Sequence, residues 1–332
     1  MLDLIKGLAE KVLDGGALTG NEALQLTDAE GSDILLLAAY ANKIREHYNG
    51  PVVDMCGIIN ARSGICSEDC KFCAQSAYHQ TDAPVYPLLS FDDLLKKAQE
   101  AQRSGATRIS LVTSGRGMEG DPDFERILEI IQGITTVTGL AVCANLGTIS
   151  GPQARRLAAA GVRRYAHNLE TSRQFYSEIC TTHSYQDRLA TVQAARDAGL
   201  ELCTGGIIGL GESWEDRISL ALTLRELQVA SVPINILNPI KGTALEKTAP
   251  PPALTIVKAF AIFRFLLPDR IIRPAGGREI NLRDMQGLLM LAGANGLIIG
   301  NYLTFKGRQA ADDFTMIHDA GLLPADYAKE TL

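Results

Sequence analysis

The chain has 332 residues, 46% hydrophobic and 21% charged, with a net charge of −6 and an isoelectric point near 5.5. That length can bury a large core, as one big α/β barrel or two ordinary domains, and an acidic balance without a basic run argues against a general nucleic-acid or anionic-membrane surface. The longest apolar run, Ile34 to Ala41, is far short of a membrane span, and the N-terminus lacks a basic start and a small-residue cleavage site, so a cytoplasmic protein is expected.

Residues 1–50 read as helical, with breaks near Gly15-Gly16 and Gly31 and an opening amphipathic helix that puts Leu4, Leu8 and Val12 on one side. From residue 51 onward, β-rich runs alternate with amphipathic stretches. The expected strands are Val52–Ile59, Thr107–Thr113, Leu140–Leu146, Arg163–Leu169, Glu201–Ile208, Ser231–Leu237, Arg270–Arg273 and Gly296–Gly300. The expected helices are Phe91–Ser104, Asp123–Val137, Gln153–Ala160, Tyr185–Ala198, Glu215–Leu227, Ala253–Phe265, Leu282–Leu291 and Ala310–Asp319. Eight strand–helix pairs predict an α/β fold, a (βα)8 TIM-type barrel over 51–305 with an N-terminal helical extension. A C-terminal helix and tail, 306–332, would complete it. Ala249-Pro250-Pro251-Pro252 reads as a stiff turn before a helix rather than a domain boundary.

Seven cysteines, an odd number in an expected reducing compartment, do not read as a disulfide framework. Three fall in Cys66-Ser67-Glu68-Asp69-Cys70-Lys71-Phe72-Cys73, on the loop after the first strand. In such barrels the active site forms on the loops at the C-terminal strand ends. Three thiolates from one short loop leave a coordination position vacant, as an active centre needs, whereas a structural tetrathiolate site is closed. The spacing predicts a [4Fe–4S] cluster with one iron free. A zinc knuckle is the alternative, but no second cysteine pair follows and His79 is the nearby histidine.

This loop resembles the signature of the radical S-adenosylmethionine (SAM) enzymes. In that family the open iron is chelated by SAM, and an electron from the cluster cleaves SAM to a 5′-deoxyadenosyl radical, chemistry no side chain can supply. Further segments resemble the biotin synthases: Ile59-Asn60-Ala61-Arg62-Ser63-Gly64, Cys73-Ala74-Gln75-Ser76, His167-Asn168-Leu169-Glu170-Thr171-Ser172, Gly205 to Glu212, Val232-Pro233-Ile234-Asn235, Gly276-Gly277-Arg278-Glu279 and Ala292-Gly293-Ala294-Asn295. The likeness is collinear from about residue 50 to 305. It implies a homodimer, an electron donor of the flavodoxin or ferredoxin type, and sulfur insertion into dethiobiotin between a methylene and a methyl carbon. It also implies two hydrogen abstractions, each consuming one SAM, with sulfur drawn from an auxiliary cluster inside the barrel. That cluster is [2Fe–2S] by resemblance; a four-iron form is the alternative here.

The same likeness assigns residues. Cys143, Cys203 and Arg273 fall at auxiliary-cluster ligand positions, although a lone buried cysteine often fills core space and arginine is a poor metal ligand. Ser110 departs from the pattern, standing where these enzymes carry a cluster cysteine, while Cys56 stands where they carry serine. Serine is a hard, poorly matched ligand, so Cys56 is the expected substitute. Cys56, Cys143, Cys203 and Arg273 would all lie on odd-numbered expected strands, which share layers in such a barrel. Asn168 is expected between SAM and dethiobiotin, Glu170 at the ribose in place of an aspartate, and Ile207 along the adenine. Thr113, His183 and Arg188 complete the expected SAM contacts, with helix capping as the alternative for His183, and Phe72 is expected at the cofactor end, shielding the cluster or packing on the barrel rim. Asn235 suits the ureido ring because an amide both donates and accepts. Thr304 keeps part of a substrate-tail loop in which Phe305 replaces one hydroxyl. Arg108 is a second-shell donor to the auxiliary cluster or an ordinary strand-end charge. Cys180 matches no ligand and is expected to be a structural or surface thiol. The rival readings are another radical SAM enzyme on this barrel (a hydrogenase-cofactor maturase or a methylornithine synthase) and a non-catalytic iron–sulfur or zinc protein.

Overall fold

In the computed structural model, which describes residues 1–325, three N-terminal helices precede the sheet: α1 (Leu2–Leu13), α2 (Gly20–Gln25) and α3 (Ser32–Asn49). In α1 the buried stripe is Ile5, Leu8, Ala9 and Val12, with Leu4 at its edge. Thr19 caps α2 in a reciprocal box with Glu22, whose carboxylate also takes the Lys11 ammonium at 2.7 Å. These helices lie outside the barrel, α3 packing on Ala253–Leu266, a helix buried along almost its whole length. A helix apolar all round fits such a sandwiched position.

The strands are β1 (Val52–Arg62), β2 (Arg108–Thr113), β3 (Ala141–Asn145), β4 (Val162–Ala166), β5 (Glu201–Cys203), β6 (Gly206–Ile208), β7 (Ser231–Ile236), β8 (Ile271–Pro274), β9 (Gly296–Ile299) and a short β10 (Leu323–Pro324). All pairings are parallel: β1 to β2, through β3, β4 and β5 to β7, with β6 and β8 also on β7, and β9 on the other side of β1. The sheet curls into the expected TIM-type α/β fold, and β10 extends the base of β1. No strand ladder joins β8 to β9 among the described residues. Asn295 bridges them instead: its N–H donates to Ile272 O at 3.0 Å, and its Oδ1 accepts from Ile272 N at 2.9 Å and from Arg264 at 2.7 Å.

Two expected elements are divided. The strand expected over 201–208 breaks at Thr204-Gly205, because the neighbouring Pro233 has no N–H to offer a ladder. The Asn168 side chain takes the Gly205 N–H instead, at 3.1 Å. The helix expected over 282–291 is Arg278–Leu282, a 3₁₀ turn Arg283–Met285, then Gln286–Leu291, with the break at Arg283 in a left-handed conformation (φ 51°). The expected C-terminal helix forms at Ala310–Asp319; residues 326–332 of the expected tail lie outside the described residues.

Candidate active site

A cavity of about 390 Å³ runs down the barrel axis. Cys66, Cys70 and Cys73 line its upper end, on the long loop after β1. The loop is shaped by its own backbone: Cys66 N–H donates to Gln75 O at 2.9 Å, Ala77 N–H to Cys66 O at 2.8 Å, and Cys73 N–H to Cys70 O at 2.9 Å. The Gln75 side-chain oxygen accepts from Ser63 and from Gly64 N–H, which ties the loop to the end of β1. His79 is turned onto the Cys73 carbonyl at 2.9 Å, so it is held by the loop itself. Burial pushes the Cys73 thiol up to about 11. Phe72 is partly buried against the core.

A second segment, 179–183, is clamped onto this loop. Asp69 Oδ1 accepts from Thr181 N–H at 2.8 Å and Thr182 N–H at 3.2 Å, and Lys71 N–H donates to Ile179 O at 2.9 Å. His183 therefore does not cap the following helix; Ser184 does, in a reciprocal box with Asp187. His183 Nδ1 instead lies 2.5 Å from Glu68 Oε2. Cys180 is not at the surface. It is buried, with its Sγ 3.7 Å from Cys70 Sγ.

At mid-depth the loop after β4 contributes Asn168 and Glu170. Glu170 is buried in a left-handed conformation (φ 68°), and its backbone oxygen takes the Ile207 N–H at 2.8 Å. Gly206 permits this approach, since a Cβ there would sit 2.5 Å from the same oxygen. One oxygen of the Glu170 carboxylate has no partner, and burial raises its pKa against the opposing pull of Arg188, 3.8 Å away. Arg188 itself donates to Tyr176 Oη at 2.5 Å and to Asn168 O at 2.8 Å. His167 is held neutral, its pKa driven well down by burial and by Arg188. Thr113 Oγ1 is buried without a partner beside the same space. Orphaned donors and acceptors lining a cavity mark where a polar ligand belongs.

Opposite, Asn235 uses its carbonyl oxygen to accept from Gly276 N–H at 2.9 Å. Thr304 lies on a loop held by Tyr302 N–H to Phe305 O and by Asn60 to Leu303 O, with Tyr302 stacked on Phe305 at 4.8 Å. Both residues line the cavity.

The floor carries Cys56, Ser110, Cys203 and Arg273. Cys143 is fully enclosed just behind, receiving Arg108 at 3.8 Å. Burial lifts Cys56 to about 11 and Cys143 to about 12, with the nearby Cys203 sulfur adding to both and Cys56 adding to Cys143. Arg273 donates to Asp54 Oδ1 at 2.6 Å and to Ser231 Oγ at 3.1 Å. Burial works against ionising Asp54, but Arg273, Arg108 and Arg164 outweigh it and hold its pKa down. Register separates the exchanged pair: Cys56 sits opposite Arg108, and Ser110 opposite Ile58 and Cys143. The structure thus brings the predicted residues to one cavity and its immediate wall. Reading the sequence missed Asp54, Glu68, Asp69 and Tyr176 as partners; no spacing signal marks them.

The donor set fits an iron–sulfur cluster above: soft thiolates on a loop that supplies no fourth ligand of its own, next to unpartnered polar atoms. The Radical SAM superfamily model matches residues 61–224, and the fold and site together define a radical SAM enzyme. The Biotin and Thiamin Synthesis associated domain matches residues 233–323. The biotin synthase of Carboxydothermus hydrogenoformans is 52% identical over 323 residues, 97% of this chain and 99% of that protein. That of Clostridium acetobutylicum is 51% identical over 319 residues, covering 96% and 97%. The chain belongs to the biotin synthase family, so it is a radical SAM sulfurtransferase that uses a [4Fe–4S] cluster and SAM. Among solved structures, a methylornithine synthase superposes with TM-score 0.84 at 21% identity, covering 98% of this chain and 99% of that one. A hydrogenase maturase from Carboxydothermus hydrogenoformans gives 0.81 at 21%, covering 96% and 79%. At that identity the likeness is one of fold, so the two enzymatic rivals share the barrel while the sequence follows the biotin synthases. No helix of the described residues is long and apolar enough to cross a membrane.

Proposed function

We propose that the chain converts dethiobiotin to biotin with two iron–sulfur centres, one at each end of the cavity. Cys66, Cys70 and Cys73 would hold the [4Fe–4S] cluster, which when bound would supply the electron for reductive cleavage of SAM. Asn168 and Glu170 orient SAM, with Glu170's unpartnered oxygen directed to a ribose hydroxyl. Thr113, His183, Arg188, Ile207 and Phe72 complete that end. Arg188 holds the Asn168 backbone and so fixes the loop from which both contacts reach. Asn235, its oxygen committed to Gly276, offers its NH2 to the ureido carbonyl, and Thr304 takes the substrate tail.

Cys56, Cys143, Cys203 and Arg273 hold the auxiliary cluster, the sulfur source, with Cys56 serving in place of Ser110. Cys56, the third thiol of the set, pairs with Arg108 and not with Ser110, so it enters at another register position than the residue it replaces, and a four-iron form stays the alternative to the family's [2Fe–2S] cluster. Arg273 enters with its Nε and one NH2 already engaged. The functional unit is a cytoplasmic homodimer fed by a flavodoxin or ferredoxin. The division into N-terminal helices, barrel and C-terminal cap belongs to the same reading.

What carries this proposal is the second group of thiols beside Arg273, two in the floor of the same cavity as the first and one in the wall just behind it. Anaerobic reconstitution with iron and sulfide counted per chain, followed by biotin formation from dethiobiotin, tests it. Iron for both centres and biotin as product are expected; zinc at the loop, or SAM left intact under strong reduction, would overturn it.

A further inference from the structure

The cavity has one wall that neither proposed centre uses. Ala275, Ile298 and Tyr302 form an apolar cluster apart from the main core, with Ile58 and Phe305 packed against it, and all five line the cavity. A Cβ added at Gly276 would lie 3.2 Å from Asn235 Oδ1, 3.4 Å from the Phe305 Cζ and 3.8 Å from the Tyr302 Cδ1. Both rings therefore stand beside Asn235, on the loop that carries Thr304. Carbon surface flanked by two polar residues suits an alkyl chain with polar ends. Behind Tyr302 lies Arg278, only 1% exposed. Its Nε donates to Tyr302 Oη at 3.1 Å, and its two Nη atoms donate to Gln286 Oε1 at 2.6 Å and Asp313 Oδ2 at 2.7 Å. Of these three side chains, Tyr302 is the one that lines the cavity.

We propose that Arg278 is a positioning residue for dethiobiotin: it fixes the Tyr302 ring, and with it the stacked Phe305, as the wall against which the substrate's alkyl chain packs. The proposal rests on the reading of Asn235 and Thr304 as the dethiobiotin contacts.

The wall moves as a unit. Tyr302 and Phe305 stack at 4.8 Å, and the Tyr302 N–H donates to Phe305 O at 3.0 Å. The far edge of the pair is set by the phenol, which accepts from Arg278 and donates to Glu279 Oε1 at 3.0 Å. A buried hydroxyl that lost these partners would carry a desolvation cost, so the bonds select one placement of the ring. Arg278 is itself anchored from outside the cavity, because Asp313 is wholly buried on the helix Ala310–Asp319. A planar guanidinium holding three side chains in fixed directions does this better than a flexible ammonium. The ordering of the wall is thus met during folding, not when the substrate arrives, and that preorganisation appears as affinity.

The test compares wild type with Tyr302→Phe, which keeps the ring and removes the hydroxyl, with Arg278→Lys, and with the double variant, all after anaerobic reconstitution. Biotin formation is measured against dethiobiotin concentration, and 5′-deoxyadenosine release is measured without dethiobiotin. Each single change should raise the KM for dethiobiotin about tenfold, the worth of one buried hydrogen bond to a charged group, and leave kcat within about threefold. Release of 5′-deoxyadenosine should stay within about threefold of wild type. Because both changes act through one ring, the double variant should be no worse than the weaker-binding single variant. An unchanged KM in Tyr302→Phe overturns the proposal even where Arg278→Lys fails to fold. So does a roughly 100-fold, additive rise in the double variant, or a fall in kcat and in 5′-deoxyadenosine release at constant KM, which marks a general loss of the barrel. A wild type that forms no biotin removes the underlying substrate reading, and this proposal with it.

Discussion

The upper and lower ends of the cavity gather their thiols by opposite means. Above, Cys66, Cys70 and Cys73 come from one loop whose backbone bonds to itself, so the trio depends on local geometry and on the docked segment 179–183. Below, Cys56, Cys143 and Cys203 come from β1, β3 and β5, far apart in sequence and placed by strand register. A loop can yield as ligands come and go, whereas a ladder holds its side chains at set heights. Under the proposed function, the difference would suit a centre that binds and releases SAM above and one that presents sulfur at a fixed point below.

If the ends are this independent, substitutions should divide them. Cys73→Ala should abolish 5′-deoxyadenosine release, by more than about 100-fold, since even outer partners of metal sites cost 10- to 100-fold. Cys56→Ala should abolish biotin formation yet leave reductive SAM cleavage within about threefold, because it removes no group from the upper end. Iron and sulfide per chain should drop as well; unchanged metal content would remove Cys56 from the lower ligand set. Arg273→Met tests the lower end as structure. It leaves the Asp54 carboxylate without its nearest partner but still beside Arg108, so the loss, read as a lower denaturation midpoint, should fall below the about 3–5 kcal/mol of a buried charge left wholly unpaired. Asp54→Asn in the same chain should restore part of the loss.

The smallest effect concerns the loop that carries Glu170. Ser172 in that loop donates to Asp216 Oδ1 at 2.5 Å, while Asp216 Oδ2 accepts from Ser213 N–H at the start of Trp214–Glu226. Burial resists ionisation of Asp216, but these bonds outweigh it and lower its pKa. A carboxyl lowered in the folded state stabilises above its ordinary pKa and loses that contribution as pH falls through the lowered value. Asp216→Asn should therefore cost about 1 kcal/mol at neutral pH, with the gap to wild type closing below about pH 4. A gap that is flat with pH in parallel denaturation curves would discount this bond.

The same contrast decides what a reader of the sequence can see. The upper trio is legible because its spacing is local, and the eight expected strand runs are legible because β-rich runs alternate with amphipathic ones, while the two-residue β10 is too short to show. The break at Thr204-Gly205 is not, since its cause, Pro233, sits on the next strand. Nor is the level of Cys56 against Ser110, which is a matter of register: one faces Arg108 and the other Ile58. Cys180 illustrates the limit most sharply. It meets Cys70 across 110 residues, through a loop docked by the Asp69 carboxylate, and nothing in its own neighbourhood announces the contact.

One consequence follows from the junction of β8 and β9, where Asn295 stands in for a ladder. The ring closes there through one residue, whose main chain and side chain both bond Ile272. Arg273, the next residue along β8, is thereby held at its height in the cavity floor from across the junction.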